Sequence, residues 1–154
     1  MADKKIIAVV GATGAQGGGL VRAILADRAG GFAVRAITRK PDSDKGRALA
    51  AAGAEVVAGD ADAPETLAAA FAGAHGVFVV TNFWEHFSPD KELAQAETMA
   101  EAATNAKVQH VIWSTLEDTR LTIKVGSGAM PVLMGKYNVP HFDAKGEANH
   151  FFLD

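Results

Sequence analysis

A parallel α/β sheet of about five strands with helices on both faces is the fold this sequence predicts. Three observations predict it. Short apolar runs alternate with helical stretches along the chain, the order a parallel sheet with crossover helices requires. The first run, Ile6-Ile7-Ala8-Val9, leads straight into a glycine turn and then an amphipathic stretch, Leu20-Val21-Arg22-Ala23-Ile24-Leu25. A length of 154 residues, 49% of them hydrophobic, suffices for one domain with its own core.

The expected strands are residues 5–10, 33–38, 55–58, 76–80 and 109–114. Between them lie alanine-rich segments, residues 46–52 and 65–71, each closed by a glycine that suits a helix C-terminus. Asp62-Ala63-Pro64 reads as a helix entry, with Asp62 as cap and Pro64 in the first turn. In the longest helix, about residues 89–106, Leu93, Ala96, Ala100 and Ala103 share one face and should pack in the core. Residues 117–140 break the rhythm with a polar stretch, Gly126-Ser127-Gly128, and two prolines, and are expected to run as an excursion over one rim of the sheet. A last helix is expected from Pro140 through Phe152. No sixth strand and no substrate domain follow, so residues 1–154 read as one domain that is incomplete toward its C-terminus. The open edge beyond the fifth strand should be covered by a second copy, making a homo-oligomer, or by the last helix folding back.

Composition narrows the function. A net charge of -3 disfavours direct nucleic-acid binding, because a phosphate backbone needs a basic footprint. Without cysteine there is no disulfide, thiolate nucleophile or cysteine-ligated metal. His75, His86, His110, His141 and His150 show no paired ligand spacing, so no metal site is expected. The N-terminal apolar run is too short for a signal peptide or membrane span, and the protein reads as cytoplasmic.

Val10 to Gly18 carries glycines at positions 11, 14 and 17, a GxxGxxG spacing between a strand and a helix. Gly11 suits the sharp turn off the strand, Gly14 a close approach of backbone to pyrophosphate, and Gly17 close packing of helix on sheet. Phosphate oxygens would then meet free amides at a positive helix end. The segment reads as a Rossmann-like dinucleotide loop, with a purely structural glycine turn as the alternative. The second strand ends in Thr38-Arg39-Lys40, cations where an acid would select NAD, so NADP is favoured. Arg39 offers a planar fork to a phosphate and Lys40 a point charge.

Asp60, at the end of the third strand, either accepts the adenine amino group or is purely structural. After the fourth strand, Thr81-Asn82-Phe83-Trp84-Glu85 puts polar and aromatic groups where open α/β sheets bind ligands. Phe83 or Trp84 either covers the ribose or nicotinamide or packs beneath another domain. Ser114 ends the fifth strand, and His141 and Lys145 share one face of the last helix. Ser114, His141 and Lys145 are the catalytic candidates.

Gly11-Ala12-Thr13-Gly14-Ala15-Gln16-Gly17-Gly18, Thr38-Arg39-Lys40, Gly59-Asp60, Thr81-Asn82-Phe83-Trp84-Glu85 and His141-Phe142-Asp143-Ala144-Lys145-Gly146-Glu147 together resemble the NmrA-like family, an atypical branch of the short-chain dehydrogenase/reductase superfamily. The likeness covers about the N-terminal half of a typical member. It implies that Gly11, Thr13, Gly14, Ala15, Gln16 and Gly17 hold pyrophosphate and Arg39 the 2′-phosphate. It further implies Asp60 and Ala61 on the adenine side, Thr81, Asn82 and Phe83 on the ribose and nicotinamide side, and Lys145 as the cofactor lysine. Ordinary reductases of the superfamily carry an acidic tyrosine four residues before that lysine, whereas this chain has His141, and Tyr137 lies upstream of Pro140. Ala94 stands where some members carry a lysine near the cofactor.

The leading expectation is therefore an NADP(H)-binding sensor whose dinucleotide occupancy alters contact with a regulatory protein partner. The alternative is an NADPH-dependent quinone or enone reductase in which His141 or water supplies the proton, or a truncated fragment of one. A structural interaction module that binds no dinucleotide is a further class.

Overall fold

The computed structural model describes residues 4–153. Five parallel strands, β1 (Lys5–Val9), β2 (Phe32–Thr38), β3 (Glu55–Ala58), β4 (Gly76–Val79) and β5 (His110–Trp113), form one sheet in the order β3-β2-β1-β4-β5. Every expected strand is present, with ends moved by a single residue or not at all. The chain winds outward from β1 to one edge, then returns to place β4 on its other side, where Val9 registers with Ala36 and with Phe78. That reversal opens a crevice beyond the carboxyl ends of β1 and β4.

Alternation along β1 divides the core. Ala8 joins Ile37, Leu67, Phe71, Val77 and Met99 on one face, and Val9 joins Val21, Val34, Ala36 and Ala54 on the other. Helices α1 (Ala15–Ala26) and α2 (Asp44–Ala51) cover the second face. The first face is covered by α3 (Pro64–Phe71), α4 (Pro89–Asn105) and, through Phe152, α6 (His150–Leu153), with α5 (Pro140–Glu147) packed on α4. Gly53 and Gly73 follow α2 and α3 with φ of 105° and 70°, the conformation expected of glycines closing helices.

Two expectations are corrected. Asp62 does not cap α3: the N-cap position is Ala63, with no side-chain bond, and Asp62 instead pairs with Lys91 at 2.7 Å and accepts from Gln95 at 2.9 Å. The last helix is not continuous. It breaks between α5 and α6 at Asn149, whose Oδ1 accepts from Trp113 Nε1 at 3.1 Å and Thr115 Oγ1 at 2.5 Å and so ties the chain to the end of β5. Beyond the break α6 folds back on that strand, with Phe152 stacked on Trp113 at 4.9 Å.

The segment between β5 and α5 is irregular, with a 3-10 turn at Thr119–Leu121. Asp143 of α5, fully buried, accepts from the backbone N–H groups of Thr119, Asn138 and Val139 and so pins both ends of the excursion.

Candidate functional site

A cleft of about 980 Å³ opens at the carboxyl ends of the strands. Its lining gathers the residues singled out for the cofactor: Gly11, Thr13, Gly14, Ala15, Gln16 and Gly17 after β1; Arg39 and Lys40 after β2; Asp60 and Ala61 after β3; Thr81, Asn82 and Phe83 after β4; and Lys145 with His141 from α5. Ser114 stands at the side, its hydroxyl donating to Gln16 Oε1 at 2.6 Å.

The glycine turn is built by exclusion. Gly11 has φ of 65°, and a Cβ on Gly17 would overlap the Gly11 carbonyl, so α1 can begin this close to the strand only without a side chain there. Gly14, the N-cap of α1, provides no side-chain cap, and no acidic residue sits in the first turn. The positive end of the helix and its first amides are left for an anion.

Across the cleft, Arg39 Nη2 donates to Glu85 Oε1 at 2.9 Å, and Asn82 Nδ2 donates to the same oxygen at 3.1 Å. Partial burial opposes ionisation of Glu85, but these bonds outweigh it and hold the carboxyl below its usual range. Asp60 Oδ1 accepts from the Asp62 N–H at 3.0 Å.

The α5 side of the cleft holds a buried charge. Lys145 Nζ donates to Thr81 Oγ1 at 2.6 Å and Thr81 O at 3.1 Å, and pairs with Glu92 Oε1 at 3.2 Å. The Thr81 hydroxyl donates onward to Glu92 at 2.6 Å. Burial pushes the Lys145 ammonium below the usual lysine range, and Glu92 opposes that shift. Behind Glu92, His86 Nε2 is 3.4 Å from Oε2, with no hydrogen bond between them.

An aromatic group covers this side. The His141 ring is 4.8 Å from Trp84 and 5.7 Å from Phe83, and Phe83 is buried whereas Trp84 is 60% exposed. Tyr137 lies outside the cleft, buried beneath the Arg120 guanidinium at 5.1 Å.

Two charged groups bonded to cleft residues are not legible in the sequence. Glu85 lay within a segment already singled out, but its partner across the cleft was not legible. Glu92 gave no signal, since an acid in the first turn of a helix ordinarily faces water.

The NmrA-like family model matches residues 3–150. Among curated relatives, the NmrA-like family domain-containing oxidoreductase FrzB of Cladobotryum sp is 45% identical over 114 residues, covering 71% of this chain and 33% of its own length. The oxidoreductase notA of Aspergillus sp. is 41% identical over 122 residues, 76% of this chain and 35% of that protein. Among solved structures, the negative transcriptional regulator Nmra superposes with a TM-score of 0.76 at 28% identity, over 97% of this chain and 42% of that one. It has also been solved with NADP and with NAD. The Citrobacter sp. triphenylmethane reductase complexed with NADP(H) superposes with a TM-score of 0.73 at 26% identity, over 94% of this chain and 44% of that one. The chain thus spans about a third of the length of the curated relatives named here and about two-fifths of these structures. With this sequence match extending over nearly its whole length, the chain belongs to the NmrA-like family.

Proposed function

We propose that this chain binds NADP(H) and forms the cofactor-holding part of an NADPH-dependent oxidoreductase. The observation that best supports binding is the convergence, in one cleft, of a helix N-terminus without a side-chain cap or an acid in its first turn and the Arg39 guanidinium; the curated relatives, named oxidoreductases, support the reaction class. The site fits the group: the overlap that forbids a Cβ on Gly17 keeps α1 against the turn, so its amides can receive pyrophosphate. Gly11 to Gly17 hold the pyrophosphate, Arg39 and Lys40 the 2′-phosphate, Asp60 and Ala61 the adenine side. Thr81, Asn82, Phe83 and Lys145 hold the ribose and nicotinamide side. Bound there, the cofactor supplies hydride. Lys145, anchored by Thr81 and Glu92, presents a fixed positive charge to that side of the cleft. His141, also of α5, lines the cleft within the aromatic group.

The second reading is a sensor whose occupancy alters a protein contact. It is favoured by the position of Tyr137 outside the cleft, so that among the described residues no phenol lines it to protonate a carbonyl. Calorimetric titration of the chain with NADPH, NADP and NAD, with Arg39→Ala alongside, tests the binding that both readings require. NADP(H) should bind more tightly than NAD, and Arg39→Ala should erase the preference. Binding accompanied by NADPH consumption with quinones or enones supports the reductase, and binding without turnover supports the sensor. No binding by the folded chain refutes both.

A further inference from the structure

Arg39 and Glu85 belong to opposite walls of the cleft, one following β2 and the other in the 3-10 turn Phe83–Glu85 after β4, yet they meet at 2.9 Å. Both line the cleft. Their side chains are 57% and 46% exposed, so the pair is a solvated, weak contact that a ligand can open. Both hydrogen bonds to Glu85 fall on Oε1, which leaves the other carboxylate oxygen available to accept.

The two members offer opposite chemistries at one place. A guanidinium donates paired N–H groups to a phosphate, whereas a carboxylate accepts the hydroxyl that an adenosine ribose carries when that phosphate is missing. A carboxylate beside the arginine also repels a phosphate dianion.

Building on the dinucleotide reading above, we propose that Glu85 is a specificity-determining residue that works against Arg39: Arg39 engages the 2′-phosphate of NADP, and Glu85 accepts the 2′-hydroxyl of NAD. The pair tunes the chain toward accepting both dinucleotides rather than NADP alone. Loss of the carboxylate acts twice in one direction, removing a repulsion from NADP and an acceptor from NAD.

The test is calorimetric titration of wild type, Glu85→Gln and Arg39→Met with NADP and NAD. Glutamine keeps the size of the side chain and an oxygen able to accept from Arg39 and Asn82, so the turn keeps its shape. Glu85→Gln should move the ratio of affinities about tenfold toward NADP, and Arg39→Met should move it toward NAD. An unmoved ratio overturns the proposal. So does a shift of Glu85→Gln toward NAD, which would make Glu85 a prop that aims Arg39 at the phosphate. In either case measurable binding of both dinucleotides leaves the cofactor reading standing, whereas absence of binding to folded wild type brings down reading and proposal together.

Discussion

Glu92 Oε1 lies 3.2 Å from the Lys145 ammonium, and no part of the Glu92 side chain reaches solvent. The pair joins the first turn of α4 to α5, so a charge that lines the cleft is held by a helix that otherwise packs in the core. Removing one member strands the other. Glu92→Ala should cost about 3–5 kcal/mol in denaturant unfolding, the range for a broken buried ion pair. Glu92→Gln with Lys145→Met should cost less than the two single losses added together, because no unpaired charge remains. Additive losses would mean that the pair contributes no coupling.

Gly17→Ala is expected to damage stability and binding together. The added methyl meets the backbone of Val10 and Gly11, which cannot rotate away as a side chain would. Helix α1 must then move off the turn, at a cost of about 1–3 kcal/mol by the usual measure of overpacking. The expected result is a lower Tm and loss of the increase in Tm that NADP gives wild type.

Acid should loosen the excursion before α5 through Asp118. Its carboxylate accepts from Arg120 N at 3.0 Å, Nε at 2.8 Å and Nη2 at 2.8 Å, and these bonds hold it below its usual value of 3.8 against an opposing effect of burial. A carboxyl whose pKa is depressed by folding stabilises fully above the unfolded value, and the contribution is lost as pH falls through the folded one. Asp118→Asn should therefore cost about 1–3 kcal/mol at neutral pH. In urea unfolding at successive pH values the gap from wild type should close below 3.8.

The tryptophans are placed to report different events. Trp84 is 60% exposed at the cleft, while Trp113 is partly buried and stacked on Phe152. NADP should change tryptophan emission chiefly through Trp84, and Trp84→Phe should remove most of that change.

His141 packs among rings, so His141→Phe should preserve dinucleotide affinity. If its imidazole gives up a proton during reduction, kcat for quinones or enones should fall about 10²-fold. An unmoved kcat assigns that proton to water.

The fold was legible because it rests on local signals: apolar runs, helix-closing glycines and a glycine turn at the first crossover. The lining of the candidate cleft was legible where a residue follows a strand, since topology alone carries Arg39, Asp60 and Thr81 to one edge. Relationships between distant elements were not. Glu92 shows only an acid in a helical first turn, and its meaning arises when α5 packs on α4. Asp62 carries a proper capping side chain, yet Lys91 and Gln95 of α4 outcompete the helix end. The break before α6 depends likewise on Asn149 finding Trp113 and Thr115.

The order β3-β2-β1-β4-β5 has a kinetic consequence. The wall that carries Arg39 and Asp60 can assemble from the first three strands, through crossovers between consecutive elements. The wall that carries Lys145 should close later, since it needs β4 on the far side of β1 and α5 docked on α4, contacts of long sequence separation. A ligand spanning both walls should therefore register a late stage of folding. Its arrival in a refolding time course should lag the appearance of helical signal, separating a collapsed chain from a finished one.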